Sequence, residues 1–209
     1  MQNQDLVTGG GSLYWTIFGV PTPPVVQKVA TTGGTPVVLS AESTFVQTQE
    51  CDWRILLAGD TVYWSAGSAQ PTPVGCSIKK VPAAGGTTTT IIDVPFMRDF
   101  TVDSSSIYFS QVKAPIPTLQ QIPLGGGTPT TVVSNVVAWV LTGDANRLYW
   151  MDAFSNTIGG VSKAPASATP FTLPVALTSD PMLAAEAVTI AADGLYATST
   201  GSGEIFRFY

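Results

Sequence analysis

Leu13-Tyr14-Trp15 is the first of five copies of a short aromatic stretch that decides the fold. The other four copies are Val62-Tyr63-Trp64, Ile107-Tyr108-Phe109, Leu148-Tyr149-Trp150 and Leu195-Tyr196-Ala197. Their first residues recur at intervals of 41 to 49 residues, and every copy is built mainly from residues that favour β-strands. A period of this length in strand-forming sequence predicts an array of small, similar sheets.

The sequence around each aromatic stretch repeats as well, and it predicts four strands per repeat, which we call strands A to D. Strand A is a hydrophobic run that ends in a turn residue, strand B is the aromatic stretch, and strand C follows it. Strand D comes after a glycine pair in three of the repeats, at Gly33-Gly34, Gly85-Gly86 and Gly126-Gly127. Paired glycines between two β runs indicate a tight hairpin, because such turns need positive φ. The fourth repeat has Ser167-Ala168 instead, which predicts a looser turn.

The repeats resemble the Tyr-Trp-Thr-Asp β-propeller repeat, and still more its bacterial relatives with a Gly-Gly-Thr-Pro turn. The Tyr-Trp pair is present at Tyr14-Trp15, Tyr63-Trp64 and Tyr149-Trp150, while the acidic fourth position is present only at Asp152. The resemblance covers essentially the whole chain. It implies a β-propeller, and it leaves the function open because propellers serve as enzymes, receptors and scaffolds.

We therefore expect an all-β protein, a β-propeller of four-stranded antiparallel blades. The expected organisation is one domain over residues 1–209, with repeats at about 5–40, 54–93, 98–134, 139–177 and 187–209. The fifth repeat reaches Tyr209 at the end of its strand C. The sequence thus predicts five blades with an incomplete last blade, the alternative being a fragment of a propeller with six or more blades.

Composition excludes several classes of function. A net charge of −5 with only 9 Lys and Arg argues against nucleic acid as a partner, since that binding depends on clustered cations. No apolar run reaches the length of a membrane span. The chain has 0 His, which removes the commonest general base and the commonest zinc ligand.

We expect neither a metal nor a cofactor. Aspartates recur just before strand B, at Asp60, Asp103, Asp144 and Asp193. They lie among turn residues of different repeats, where an aspartate side chain accepts hydrogen bonds from nearby backbone amides. Calcium would need several oxygens converging on one point. The pattern therefore predicts capped turns.

The two cysteines are predicted to form a disulfide. Cys51 precedes strand A of the second repeat and Cys76 begins its strand C, and these two points lie at the same end of an antiparallel meander. The alternative is two unrelated buried thiols. A disulfide would indicate an oxidising compartment, so the expected location is extracellular, periplasmic or at the cell surface.

Six side chains near the start of strand A form the candidate ligand-binding site: Trp53, Arg54, Phe96, Arg98, Trp139 and Glu186. Strand A is the innermost strand of a propeller blade, so its entrances are predicted to surround the mouth of the central channel. Aromatic faces with guanidinium donors suit sugars, carboxylates or a peptide side chain, so the candidate ligand is a carbohydrate or a peptide. In the alternative interpretation, Phe96 and Trp139 plug the channel, and the arginines pair with Asp52 and Asp99.

These observations favour a non-catalytic, extracytoplasmic binding or interaction module. One alternative is a structural component of a surface assembly that another chain completes. The other is a hydrolase or lyase, which some relatives in the resembled family are. The strand at Glu204–Tyr209 is expected to have no partner strand of its own blade on its outer edge. We expect this edge to be covered by a second copy, by another protein or by the polar stub at residues 1–4.

Overall fold

The computed structural model describes residues 2–19, 22–41, 51, 54–68, 75–152, 157–163, 169–176, 185–191, 193–199 and 204–208. Every regular element among these residues is a β-strand. No helix in this part of the chain is long and apolar enough to cross a membrane. The chain divides into two compact units, Met1–Phe96 and Met97–Tyr209. The predicted organisation as one domain stays a prediction.

The first unit contains two four-stranded sheets. The strands of the first sheet are β1 Gln2–Gly9, β2 Ser12–Gly19, β3 Thr22–Ala30 and β4 Val37–Ala41. Those of the second sheet are β5 Ile55–Ala58, β6 Thr61–Ser68, β7 Gly75–Pro82 and β8 Thr89–Val94.

The second unit contains three sheets. The third sheet has β9 Met97–Val102, β10 Ser106–Gln111, β11 Thr118–Pro123 and β12 Thr130–Ser134. The fourth has β13 Ala138–Gly143, β14 Arg147–Asp152, β15 Thr157–Ser162 and β16 Phe171–Ala176. The fifth has, among the described residues, β17 Ala185–Ala191, β18 Gly194–Ser199 and β19 Glu204–Phe208.

Each sheet is an antiparallel meander whose strands neighbour one another in chain order, as the blades of a β-propeller do. The predicted fold class, an all-β propeller with five blades, is therefore confirmed. The predicted repeat boundaries stay predictions, like the single domain. The prediction of a polar stub before residue 5 is wrong, because Gln2 and Asn3 pair with Phe18 and Ile17 inside the first sheet.

The glycine pairs form the expected turns between strands C and D. Gly85 and Gly86 have φ values of 96° and 143°, which a residue with a side chain rarely adopts. The Gly85 amide donates to the Pro82 carbonyl at 2.8 Å and closes the turn. The fourth repeat's Ser167-Ala168 turn lies outside the described residues.

The core lies in the seams, by which we mean the packed interfaces between neighbouring sheets of one unit. In the second unit, Trp150 and Leu148 of the fourth sheet pack with Tyr108 and Leu119 of the third. Tyr149, which precedes Trp150, packs in the seam with the fifth sheet. Consecutive side chains of strand B thus face opposite seams, as the alternation of a strand requires.

The first unit follows the same rule. Tyr14 of the first sheet and Trp64 of the second belong to one buried cluster, which also contains Val26 and Val62. Trp64 is 1% exposed. The prediction that the repeated aromatic residues are core residues is confirmed for these positions.

The fifth repeat rearranges its aromatic residues. In the fourth sheet Trp150 pairs with Gly159, and a Cβ atom on that glycine would collide with the indole ring. In the fifth sheet Ala197 pairs with Phe206, so the large ring stands on strand C instead of strand B. This exchange changes how the seam between the fourth and fifth sheets is filled.

Candidate functional site

The first strands of the three sheets in the second unit, β9, β13 and β17, each carry a β-bulge at the same register position. In β9 the pairing passes from Met97–Gln111 to Phe100–Phe109, which leaves Arg98 and its successor opposite one residue. The extra residue in β13 is Trp139 and that in β17 is Glu186. A bulge turns side chains away from the regular alternation and often redirects them at functional sites.

Strand β13 lies between β9 and β17, so the three bulges stand side by side. The guanidinium carbon of Arg98 lies 4.7 Å from the centroid of the Trp139 ring. Trp139 is 41% exposed, whereas Leu148 and Trp150 of the same sheet are buried. We call Arg98, Trp139 and the bulge position of Glu186 the bulge row; the Glu186 side chain lies outside the described part of the structure.

The carboxylate of Asp99 fixes the bulge row by joining two inner strands. Asp99 is 4% exposed, and its two oxygens accept hydrogen bonds from the amides of Phe100 and Leu141, each at 2.7 Å. The Asp99 amide donates to the Ser110 hydroxyl at 3.0 Å. Because Leu141 lies in β13, these bonds set the position of Arg98 relative to Trp139.

The first unit repeats this arrangement at Asp5. Its carboxylate accepts hydrogen bonds from the amides of Leu6 at 2.8 Å and Ile55 at 3.0 Å, again joining two inner strands. Sequence analysis did not identify either carboxylate as a link between sheets. The only available signal is an aspartate directly before the apolar run of strand A, which also fits a turn residue.

The remaining candidate residues are distributed over both units. Arg54 lies before β5, where its amide donates to the Ser65 hydroxyl at 2.8 Å. Phe96 ends the first unit with a φ of 57°, a conformation that is uncommon for a residue with a side chain. Trp53 lies outside the described residues. The structure brings Arg98 and Trp139 into contact, and the exposure of Trp139 argues against its being a buried plug.

The recurring aspartates act as predicted at two of the four positions. One Asp103 oxygen accepts the amides of Ser105 at 2.8 Å and Ser106 at 2.9 Å. One Asp144 oxygen accepts the amides of Asn146 and Arg147, both at 2.7 Å. Asp103 and Asp144 therefore cap their turns, and the described residues contain no group of three His, Cys, Asp or Glu that could hold a metal ion.

Lys163 links the third and fourth sheets through its charged ammonium group. Its ammonium donates to the second Asp103 oxygen at 2.8 Å and to the Asp144 carbonyl at 2.7 Å. Burial raises the pKa of Asp103, but the hydrogen bonds from Lys163 and the turn amides outweigh it and lower the pKa to about 2. Burial and the nearby negative charge of Asp103 raise the pKa of Tyr108 to about 12.

Cys51 and Cys76 form a disulfide with a Cα–Cα distance of 5.5 Å. Both residues are buried, at 4% and 0% exposure. The predicted disulfide is confirmed. It ties the segment that precedes β5 to the start of β7.

Solved structures with low sequence identity share this fold. A chain of the nidogen/laminin complex is 18% identical with a TM-score of 0.71, over 99% of this chain and 75% of that chain. The tricorn protease is 10% identical with a TM-score of 0.60, over 99% of this chain and 26% of that chain. Oligogalacturonate lyase in complex with manganese is 13% identical with a TM-score of 0.56, over 94% of this chain and 61% of that chain.

This chain therefore spans less than two thirds of the protease and lyase chains. No protein-family profile and no curated protein matches the sequence. Similarity at these identities establishes the fold alone, and the fold is compatible with binding proteins and enzymes alike.

Proposed function

We propose that this chain is a non-catalytic, extracytoplasmic binding module of the Tyr-Trp-Thr-Asp-like propeller type, and that it binds its ligand at the bulge row. The observation that carries the proposal is the exposed Trp139 ring with the Arg98 guanidinium 4.7 Å from its centroid. Tryptophan and arginine are the residues most often found at binding hot spots.

The chemistry of the bulge row defines the class of ligand. The Trp139 ring offers an apolar face, and the guanidinium of Arg98 carries a positive charge that suits a carboxylate. Asp99 links β9 and β13 through hydrogen bonds, so the binding surface is already ordered before a ligand arrives. Less free energy is therefore spent on ordering this surface when the ligand binds. The proposed ligand is accordingly a carbohydrate or peptide that carries a carboxylate.

The disulfide supports an extracytoplasmic location. Disulfides persist in oxidising compartments and are rare in the reducing cytosol of most organisms. The Cys51–Cys76 bond is buried and joins a residue that precedes β5 to β7 of the same sheet, as is typical of a structural disulfide.

Binding to arrays of acidic and neutral carbohydrates and peptides tests the function. We expect the wild-type protein to bind carboxylate-bearing probes, and Trp139→Ala or Arg98→Ala to weaken binding by about tenfold or more. Arg207→Ala is a matched control outside the bulge row, because it removes an arginine whose guanidinium carbon also lies over an aromatic ring, 5.8 Å from the Tyr196 centroid.

Two outcomes of this experiment would contradict the proposal. Unchanged binding by Trp139→Ala and Arg98→Ala variants that melt like the wild type would overturn the bulge row as the binding surface. Cleavage of an array carbohydrate or peptide by the wild-type protein would instead support the hydrolase or lyase alternative.

The exposed edge of the fifth sheet favours a second function, as a structural component completed by another chain. Among the described residues β19 pairs only with β18, and Ile205 is 72% exposed. An unpaired strand edge can accept a strand from a second copy or from another protein. Concentration-dependent light scattering tests this alternative, which predicts self-association or capture of an added strand peptide along Glu204–Phe208.

A further inference from the structure

A pocket of about 220 Å³ lies in the seam between the fourth and fifth sheets, apart from the bulge row. The fourth sheet contributes polar and aromatic side chains to its lining, and the fifth contributes mainly small and apolar residues. The residues that matter here are Asp144, Tyr149, Phe171, Ala191 and Phe208.

Beside the pocket, the fourth repeat has Gly160 on strand C opposite the lining residue Tyr149. The equivalent positions in other repeats are Lys28, Lys80, Gln121 and Arg207. In the fourth repeat the Phe171 ring occupies the space that a Cβ atom of Gly160 would need. Phe171 then stands edge-on to Tyr149, with ring centroids 6.3 Å apart, and gives the pocket a second aromatic wall.

The neighbouring seam of the same unit contains the corresponding site with a lysine bound in it. There the Lys163 ammonium lies 2.8 Å from the Asp103 carboxylate, 2.7 Å from the Asp144 carbonyl and 5.0 Å from the centre of the Tyr108 ring. A carboxylate, a carbonyl and the face of a tyrosine together satisfy an ammonium group.

The strand register places equivalent residues around the pocket. Asp144 has the turn position of Asp103, and Tyr149 has the strand position of Tyr108. Ala191, which lines the pocket, occupies the register position of Asp144 in the fifth repeat. The three groups that hold Lys163 thus have counterparts one sheet further along the chain.

The Asp144 carboxylate can accept a cation. One of its oxygens caps the turn, and the other is 3.5 Å from the Tyr149 hydroxyl, with no salt bridge to any described residue. The described lining of the pocket contains no lysine. Among the described lining residues the one cation is Arg147, whose guanidinium carbon is 5.7 Å from the centre of the Phe171 ring.

We propose that this pocket binds a lysine side chain of a partner polypeptide, with the ammonium at Asp144 and the alkyl chain between Tyr149 and the apolar residues of the fifth sheet. The occupant is defined by the way Lys163 fills the preceding seam. This second site is independent of the function proposed for the bulge row.

An NMR titration with Nα-acetyl-lysine N-methylamide tests the proposal. We expect saturable shifts at the amides of Asp144, Tyr149 and Ala191, with a dissociation constant on the order of 1 mM for so small a probe. Asp144→Asn should weaken binding by about tenfold, because the amide still caps the turn but no longer offers a charge-assisted hydrogen bond.

The controls separate ammonium recognition from other causes. Asp193→Asn should bind like the wild type, since Asp193 pairs with Arg207 at 3.0 Å and is not part of the lining. Equal binding of the norleucine analogue, or an Asp144→Asn variant as tight as the wild type, would overturn the proposal. Binding of pentylamine without binding of the capped lysine would assign the pocket to a free amine and would also overturn it.

Discussion

Tyr149 and Trp150 show how two adjacent side chains divide their work between two seams. Trp150 is 3% exposed and packs toward the third sheet, while Tyr149 is half-buried and lines the pocket beside the fifth sheet. Since a strand alternates its faces, neither residue can replace the other. The repeated aromatic pair therefore serves mainly to pack neighbouring sheets together. It can contribute to a binding surface only where the adjacent sheet leaves one of its rings exposed.

A comparison of two tryptophans of the fourth sheet tests this assignment. We expect Trp150→Ala to lower the free energy of unfolding by about 3 to 5 kcal/mol, because it removes a buried ring over Gly159. Trp139→Ala should cost about 1 kcal/mol or less, since the ring is 41% exposed. Chemical denaturation of both variants provides the measurement, and equal losses would contradict the placement of these side chains.

At the scale of strands and turns, the link between β9 and β15 is electrostatic. Lys163, which follows β15, reaches the Asp103 carboxylate of the turn after β9, with side-chain exposures of 10% and 21%. A pair this well buried is weakly screened by solvent. It should therefore contribute to stability in a way that depends on pH.

The protein should lose stability in acid when the Asp103 carboxylate becomes protonated. Its pKa falls from 3.8 to about 2 on folding, so its stabilising contribution is complete above pH 4 and is lost as the pH falls through about 2. The shift corresponds to about 2 kcal/mol. Unfolding of wild-type and Asp103→Asn proteins between pH 7 and pH 2 measures the difference.

The two partners of this pair serve as each other's control. Both Asp103→Asn and Lys163→Met should reduce the loss of stability between pH 4 and pH 2, because each removes the ion pair. A stability curve for Asp103→Asn that runs parallel to the wild-type curve would show that the pair makes no such contribution.

For the whole molecule, the sequence predicted the features that recur from repeat to repeat or follow from the order of the strands. The period of the aromatic stretch and the glycine pairs predicted the sheets. Arg98 and Trp139, which the sequence placed near the start of strand A, are in contact in the structure. The disulfide was predictable because Cys51 and Cys76 fall at one end of a meander.

Features that depend on differences between repeats were not predictable. Gly160 leaves room for the Phe171 ring that lines the pocket, and this consequence is visible only in the packed seam. The Asp99 link was missed because hydrogen bonding to a neighbouring sheet leaves no periodic signal in the sequence.

Hydrogen exchange with and without the array ligand tests the central claim, that recognition takes place at the bulge row. The account predicts slower exchange of the amides at residues 98–99 and 138–140, with the amides of β19 unchanged. Arg98→Ala should abolish that protection. Protection confined to β19 or to the seam pocket, with residues 98–99 and 138–140 exchanging as in the free protein, would contradict it.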